Sequence, residues 1–164
     1  YLFLYTPLKR ITPWSTAVGG IPGALPPVIG WTAVRNEITV EAWGLFAILF
    51  FWQMPHFLSL AWMYRKDYAR AGYKLLTVVD PSGSTTSIHM IVYSTLLLIA
   101  SIMPGVLGSA GALYIGAASL LSMIFIASTI QLSLSRTNEA ARRVFFASLI
   151  YLPVLLLFMI IDKL

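Results

Sequence analysis

An aspartate in a basic, tyrosine-rich stretch is the first group in this sequence suited to chemistry. Asp67 stands in Tyr64-Arg65-Lys66-Asp67-Tyr68-Ala69-Arg70-Ala71-Gly72-Tyr73-Lys74, which holds one of the chain's six acidic residues and four of its eleven basic ones. Two readings of Asp67 are open. It pairs with Arg65, Lys66 or Arg70 at a surface, or it shares a divalent cation. Mg²⁺ would suit, since it takes one or two carboxylates and completes its shell with phosphate oxygens and water. Asp80 is a second carboxylate at the far end of the same loop. Its setting, Val79-Asp80-Pro81-Ser82-Gly83, reads first as a turn approaching a helix, with metal binding as the alternative. Lys9 and Arg10 either hold topology or bind a phosphate or diphosphate, for which a point charge and a planar fork are both useful. Arg65, Lys66, Arg70 and Lys74 would add to that field. His56, in Trp52-Gln53-Met54-Pro55-His56-Phe57, sits inside an apolar run, where a polar group is costly and often functional. It ligates iron, orients a substrate or hydrogen-bonds across helices. His89 reads as structural, near a membrane interface.

These groups need a frame, and composition says which kind. The chain has 164 residues, 59% hydrophobic and 10% charged, against about 25% charged in a soluble domain. That places it in the membrane class. The basic residues form no continuous stripe, so the net charge of +5 reflects membrane orientation rather than nucleic acid. With no cysteine there is no disulfide or thiolate chemistry, and two histidines alone make no structural zinc site. Nothing resembles a Gly-rich phosphate loop. The opening run, Tyr1-Leu2-Phe3-Leu4-Tyr5, has no initiator Met, basic leader or cleavage site. The expectation is therefore the later part of a longer protein.

At about 20 residues per span, the uncharged runs predict an all-α bundle of five transmembrane helices, roughly 13–33, 41–63, 86–103, 109–132 and 143–162. Met103-Pro104-Gly105-Val106-Leu107-Gly108 is the expected break between the third and fourth. Gly19-Gly20-Ile21-Pro22-Gly23-Ala24 and Pro26-Pro27 fall within the first span. They predict either a kinked packing helix, with Gly19 and Gly23 at a close contact, or a helix shaping a cavity. Trp14, Trp31, Trp52 and Trp62 are placed near helix ends as an interfacial belt. Counting sides alternately, Lys9, Arg10, Arg65, Lys66, Arg70, Lys74, Arg136, Arg142 and Arg143 share one side, with Arg35 and Lys163 opposite. The basic side faces the cytoplasm, or the matrix in an organelle. The loop from Met63 to about Thr85 is the one long connection, and loops carry chemistry disproportionately.

The ordered blocks carry a resemblance. They are Tyr5-Thr6-Pro7-Leu8-Lys9-Arg10-Ile11-Thr12-Pro13, the run from Gly19 to Trp31, Trp52-Gln53-Met54-Pro55-His56-Phe57, and the run from Asp67 to Val79. Together they resemble the UbiA superfamily of intramembrane prenyltransferases, and most closely its protohaem IX farnesyltransferase (haem O synthase) branch. The likeness is strong over residues 1–84 and rests on hydropathy and the Gly/Pro break beyond. It implies helices five to nine of a nine-helix domain, so that residues 1–164 form its C-terminal portion, and the first Asp-rich motif precedes residue 1. The wider superfamily has a paired Asp-x-x-x-Asp after helix six; here Asp67 is followed by Ala71, a departure that suits the haem branch better than the quinone branch.

By that resemblance the reaction moves a farnesyl group from farnesyl diphosphate to a vinyl group of haem B, with hydration, giving haem O. Catalysis then falls to Asp67, Lys9, Arg10 and Tyr68, with Mg²⁺ on Asp67. His56, Arg65, Lys66, Arg70 and Lys74 would bind substrate. The implied setting is a bacterial inner membrane, or the mitochondrial one, in contact with lipid and with haem A synthase or terminal oxidase assembly as further partners. The rival readings are a quinone or chlorophyll prenyltransferase of the same fold, and a transporter fragment with broken helices.

Overall fold

In the computed structural model, residues 5–162 are described, with side chains from Pro7 onward. Lys163, which the charge count put opposite the basic side, lies outside the described residues, as do Tyr1 to Leu4 and the side chains of Tyr5 and Thr6. The elements are α1 (Tyr5–Ile11), α2 (Ser15–Gly23), α3 (Pro26–Arg35), α4 (Val40–Met63), α5 (Arg65–Arg70), α6 (Leu76–Val79), α7 (Ser84–Val106), α8 (Ala112–Ser135) and α9 (Asn138–Ile161). Five stretches are long and apolar enough to cross a membrane: Ser15–Arg35, Val40–Met63, Ser84–Val106, Ala112–Ser135 and Asn138–Ile161. The five-span, all-α expectation matches them in number and order.

Their boundaries differ in instructive ways. The first span is two helices, not one kinked helix. α2 closes with the Ala24 N–H on the Gly20 and Ile21 carbonyls, at 3.0 and 3.1 Å. Pro26 and Pro27 then open α3, where a first-turn N–H has no helical acceptor to lose. α7 runs through Pro104 and stops at Val106, three residues beyond the expected end, with Gly108 left-handed in the turn that follows. α9 begins at Asn138 rather than 143. The Thr137 hydroxyl accepts the Ala140 N–H at 3.2 Å, so a side-chain cap starts the helix before its apolar run does.

α4, α7, α8 and α9 close a four-helix ring in which each touches two neighbours, and α2 and α3 lie along the outer side of α4. Lipid tails are as apolar as leucine, so packing and interhelical hydrogen bonds hold such a ring together. Its centre is Tyr151, whose hydroxyl meets Ser101 of α7 and Ser122 of α8, each at 2.8 Å. Phe125, Leu97, Val144 and Leu155 are buried around it. Trp52 donates its indole N–H to the Ser148 carbonyl of α9 at 2.8 Å. At the far end the Asp162 carboxylate accepts the Tyr114 N–H at 3.3 Å.

One of the tryptophans departs from the expected place near a helix end: Trp52 stands near the middle of α4 and turns inward. Trp62 sits at the end of α4 as expected, but it is almost wholly buried. Trp14, by contrast, is exposed just before α2 and sits edge-on to His89, the two ring centroids 5.7 Å apart. His89 is held within its own helix, its Nδ1 2.8 Å from the Thr85 carbonyl.

Candidate active site

The long loop after α4 folds back on the start of the chain. The Lys74 N–H donates to the Lys9 carbonyl at 2.7 Å, which fastens the loop to α1. The Tyr73 N–H donates to the Tyr68 carbonyl at 3.0 Å, and the two rings meet tilted at 53° with centroids 6.0 Å apart. Lys9 Nζ lies 5.9 Å from the centre of the Tyr73 ring, within reach of a cation–π attraction. Lys9, Tyr68 and Tyr73 thereby line a cavity of about 160 Å³ with Gly19, Phe57 and Leu60. Its lining mixes the polar Lys9, Thr16, Tyr68 and Tyr73 with the apolar Phe57, Leu60 and Leu75.

The cavity exists because α2 can lie close to α4. A side chain at Gly20 would run into Met54, and one at Gly23 into Gln53. The buried Gln53 amide donates to the Gly20 carbonyl at 2.7 Å. The glycines at the contact are thus Gly20 and Gly23, while Gly19 faces the cavity. The first span thus both packs on α4 and shapes a cavity, but as two helices rather than one kinked one.

The other predicted groups divide. Asp67 lies on the exposed side of α5, 3.5 Å from Arg70, with both side chains mostly in solvent. Arg10 and Lys74 are exposed. Arg65 and Lys66 line a separate depression of about 280 Å³ with Thr77 and Pro81, and the Arg65 guanidinium covers the Trp62 ring at 5.7 Å. The predicted cations therefore surround the loop, and Lys9 and Tyr68 are the two brought into one cavity.

Asp80 is a structural group, as its turn-like setting suggests. Oδ1 accepts from the Ser82 hydroxyl and the Gly83 N–H at 2.8 and 3.1 Å, and Oδ2 from the Thr86 N–H and hydroxyl at 2.8 and 3.0 Å. Burial would raise its pKa, but the four hydrogen bonds outweigh burial and hold the carboxyl below its ordinary value. A carboxylate has about four lone-pair sites, and all are in use. Asp80 has none left for a metal.

No group of three or more His, Cys, Asp or Glu suited to a metal occurs among the described residues. Asp67 alone does not make a protein-held Mg²⁺ site. Its single exposed carboxylate does fit an ion that arrives with a diphosphate and takes most of its ligands from that diphosphate and water.

His56 is held between rings. It stacks on Trp52 and Phe145 with centroids 5.0 and 4.9 Å away and meets Phe57 edge-on at 5.2 Å. Its Nδ1 lies 2.8 Å from the Ser148 hydroxyl, which itself donates to the Phe145 carbonyl at 2.5 Å. Ser148 thus ties the His56 ring to α9 through Nδ1, with the direction of that hydrogen bond set by the ring's tautomer. The expected hydrogen bond across helices is present, and it leaves one ring nitrogen open. Phe57 both lines the cavity and touches His56, so a single ring separates the two. Phe145, Ser148, Gln53 and Tyr73 escaped functional assignment from sequence; the basic, tyrosine-rich loop was the one available signal, and it pointed at Tyr73.

Comparison with known proteins agrees with this frame. The chain is 50% identical over 163 residues to a protohaem IX farnesyltransferase of Solibacter usitatus (strain Ellin6076), covering 99% of this chain and 56% of that protein. It is 47% identical over 162 residues to one of Salinibacter ruber, covering 99% and 57%. The chain thus spans a little over half the length of these curated relatives. A solved structure from work on digeranylgeranylglyceryl phosphate synthase in membranes superposes with a TM-score of 0.85 over 99% of this chain and 58% of that one; at 19% identity the likeness is one of fold. A membrane-embedded helical ring, a basic mouth tied to its first helix and a family model matching residues 1–150 lead to one assignment: the chain belongs to the UbiA prenyltransferase family.

Proposed function

We propose that this chain forms the C-terminal portion of a protohaem IX farnesyltransferase, which moves the farnesyl group of farnesyl diphosphate onto a vinyl group of haem B. The observation that carries the reading is the identity of 50% and 47% to two such enzymes across nearly the whole chain. Family membership removes the transporter reading. The Asp67, Ala71 pattern stands against the quinone and chlorophyll branches.

In this mechanism the diphosphate docks at the lip of the Lys9, Tyr68, Tyr73 cavity. Lys9 meets it from inside, and Arg10, Arg65, Lys66, Arg70 and Lys74 supply the surrounding positive field. Fixed cations at the point where charge develops lower the barrier to C–O cleavage, because they need no reorganisation as the diphosphate departs. Mg²⁺, with Asp67 as its protein ligand, would neutralise part of the same charge. The farnesyl chain extends along Phe57 and Leu60, and the aromatic face of Phe57 favours the allylic cation. That cation adds to the terminal vinyl carbon. Water then attacks the carbon beside the porphyrin and loses a proton, giving the hydroxyethylfarnesyl side chain of haem O. His56, with Nε2 open, is positioned to hold or orient the haem. The basic side faces the cytoplasm of a bacterial inner membrane, or the mitochondrial matrix, where haem A synthase and oxidase assembly factors would take the product.

The test uses the natural full-length protein in detergent with farnesyl diphosphate, haem B and Mg²⁺. Haem O should appear by chromatography. Its absence in a preparation that binds both substrates would overturn the reading. His56→Ala should alter the haem absorption spectrum, and an unchanged spectrum and affinity would remove His56 from iron ligation.

A further inference from the structure

A second hollow lies away from this site. A groove of about 720 Å³ runs between α8 and α9, with Leu121 and Ile124 on one wall and Phe146, Ala147 and Ile150 on the other. Arg142, Arg143 and Glu139 close one end. A second depression of about 600 Å³ adjoins it and shares Ile124, Arg143 and Ala147. We infer that this groove is a binding site for an anionic phospholipid, with its phosphate on Arg142 and Arg143 and its acyl chains in the two depressions.

Length argues for a lipid over a helix. From Glu139 to Tyr151 the groove follows α9 for about 18 Å at the helical rise. One leaflet of hydrocarbon is about 15 Å deep, half of a core that a transmembrane helix must cross entirely. The groove starts at the charged end of α9 and stops near the helix midpoint, as an acyl chain does. Two depressions meeting at Arg143 suit two chains joined at one headgroup.

Charge argues for an anion. Both arginines are exposed at the start of α9, on the side that holds nine of the chain's eleven basic residues. Among the described residues no carboxylate comes within 4.0 Å of either. Arg142 lies over the Phe146 ring at 5.4 Å, which holds its guanidinium above the groove. Arginine at headgroup depth attracts anionic lipid at roughly a fivefold gain in affinity per cation, so the pair should give about 30-fold.

Native mass spectrometry of the full-length protein, titrated with phosphatidylglycerol and with phosphatidylcholine, tests this. Phosphatidylglycerol should bind about 30-fold more tightly. Arg142→Gln with Arg143→Gln should abolish that preference, and Arg→Lys at both should keep most of it. Ile150→Trp should weaken both lipids by filling the groove. Equal affinity for the two lipids in the wild type, or a preference that survives the double Gln variant, would overturn the proposal. A nitroxide at Ile150→Cys in a cysteine-free background reports what covers the groove. Collision with lipid-dissolved oxygen supports a lipid, and shielding from it would mean that a helix from the rest of the protein sits there.

Discussion

Asp67 and Asp80 are carboxylates in one loop with opposite fates. Asp80 is buried and gives every lone pair to the backbone and hydroxyls of the turn that opens α7. Asp67 is mostly in solvent and keeps one partner, Arg70, at 3.5 Å. The difference separates a group spent on architecture from a group with capacity to bind something else. Burial, often taken as a mark of an active site, here marks the structural member of the pair. The member proposed for chemistry is the exposed one, with Arg70 as its one ion-pair partner among the described residues.

Substituting each in turn tests the contrast most strongly. Asp67→Ala should leave the melting temperature unchanged and lower haem O formation by about 10²-fold or more, the scale of losing one group that neutralises developing charge. Normal turnover would remove Asp67 from the site. Asp80→Ala should do the reverse. It strands the Thr86 and Gly83 N–H groups and should cost about 3 kcal/mol of stability, while the folded fraction turns over within a few-fold of wild type.

The pH dependence follows the same division. Because the folded-state pKa of Asp80 is lowered, its contribution is fully present above the ordinary carboxylate pKa and is lost as pH falls through the lower, folded value. Asp80→Asn should therefore lack the acid-side loss of stability that the wild type shows. Equal slopes for the two proteins below about pH 4 would break the assignment.

A smaller effect is expected next to Asp80. Gly83 is left-handed at φ +71°, and the Trp62 ring occupies the place where a Cβ would go. Gly83→Ala should cost about 2 kcal/mol from backbone strain and displacement of the indole. Arg65, which covers that indole, should then shift as well. Thermal unfolding in detergent measures it, and no loss would mean that the turn holds without its glycine.

How far the sequence reaches can be judged on these same residues. The five spans were legible because charge is excluded from hydrocarbon over a known thickness, and the Asp80 turn because Asp-Pro-Ser-Gly has few other conformations. The direction each helix faces was not legible. A span that is apolar on all sides has no stripe to say which residues meet a neighbour. For that reason Trp52 was assigned to the interface when it bonds to Ser148 across α9, and the Gln53 link to Gly20 went unforeseen. Helix starts slipped for another reason: α9 begins before its uncharged run because the Thr137 side chain caps a first turn that carries Glu139. At the site, residue types announced the basic mouth, but no spacing rule could say that Lys9 and Tyr68 share a cavity while Arg10 stays outside.

The smallest effect is the most discriminating. Arg70 is the one side chain within ion-pairing distance of Asp67 among the described residues. If Asp67 were merely half of a surface pair, removing either partner would have the same consequence. Exposed pairs of this kind contribute about 0 to 1 kcal/mol, so Arg70→Gln should change stability by no more than about 0.5 kcal/mol. On activity the two variants must part company. Arg70→Gln frees the carboxylate and removes one of several cations around the loop, so haem O formation should fall only a few-fold, with a weaker response to added salt. On the proposed mechanism, Asp67→Ala removes a metal ligand that no neighbour replaces, since Asp80 is saturated. Combining the two should give the Asp67→Ala rate with little further loss. Equal, small effects from the single variants would return Asp67 to the ordinary surface and leave Lys9 with the tyrosines as the whole of the mouth.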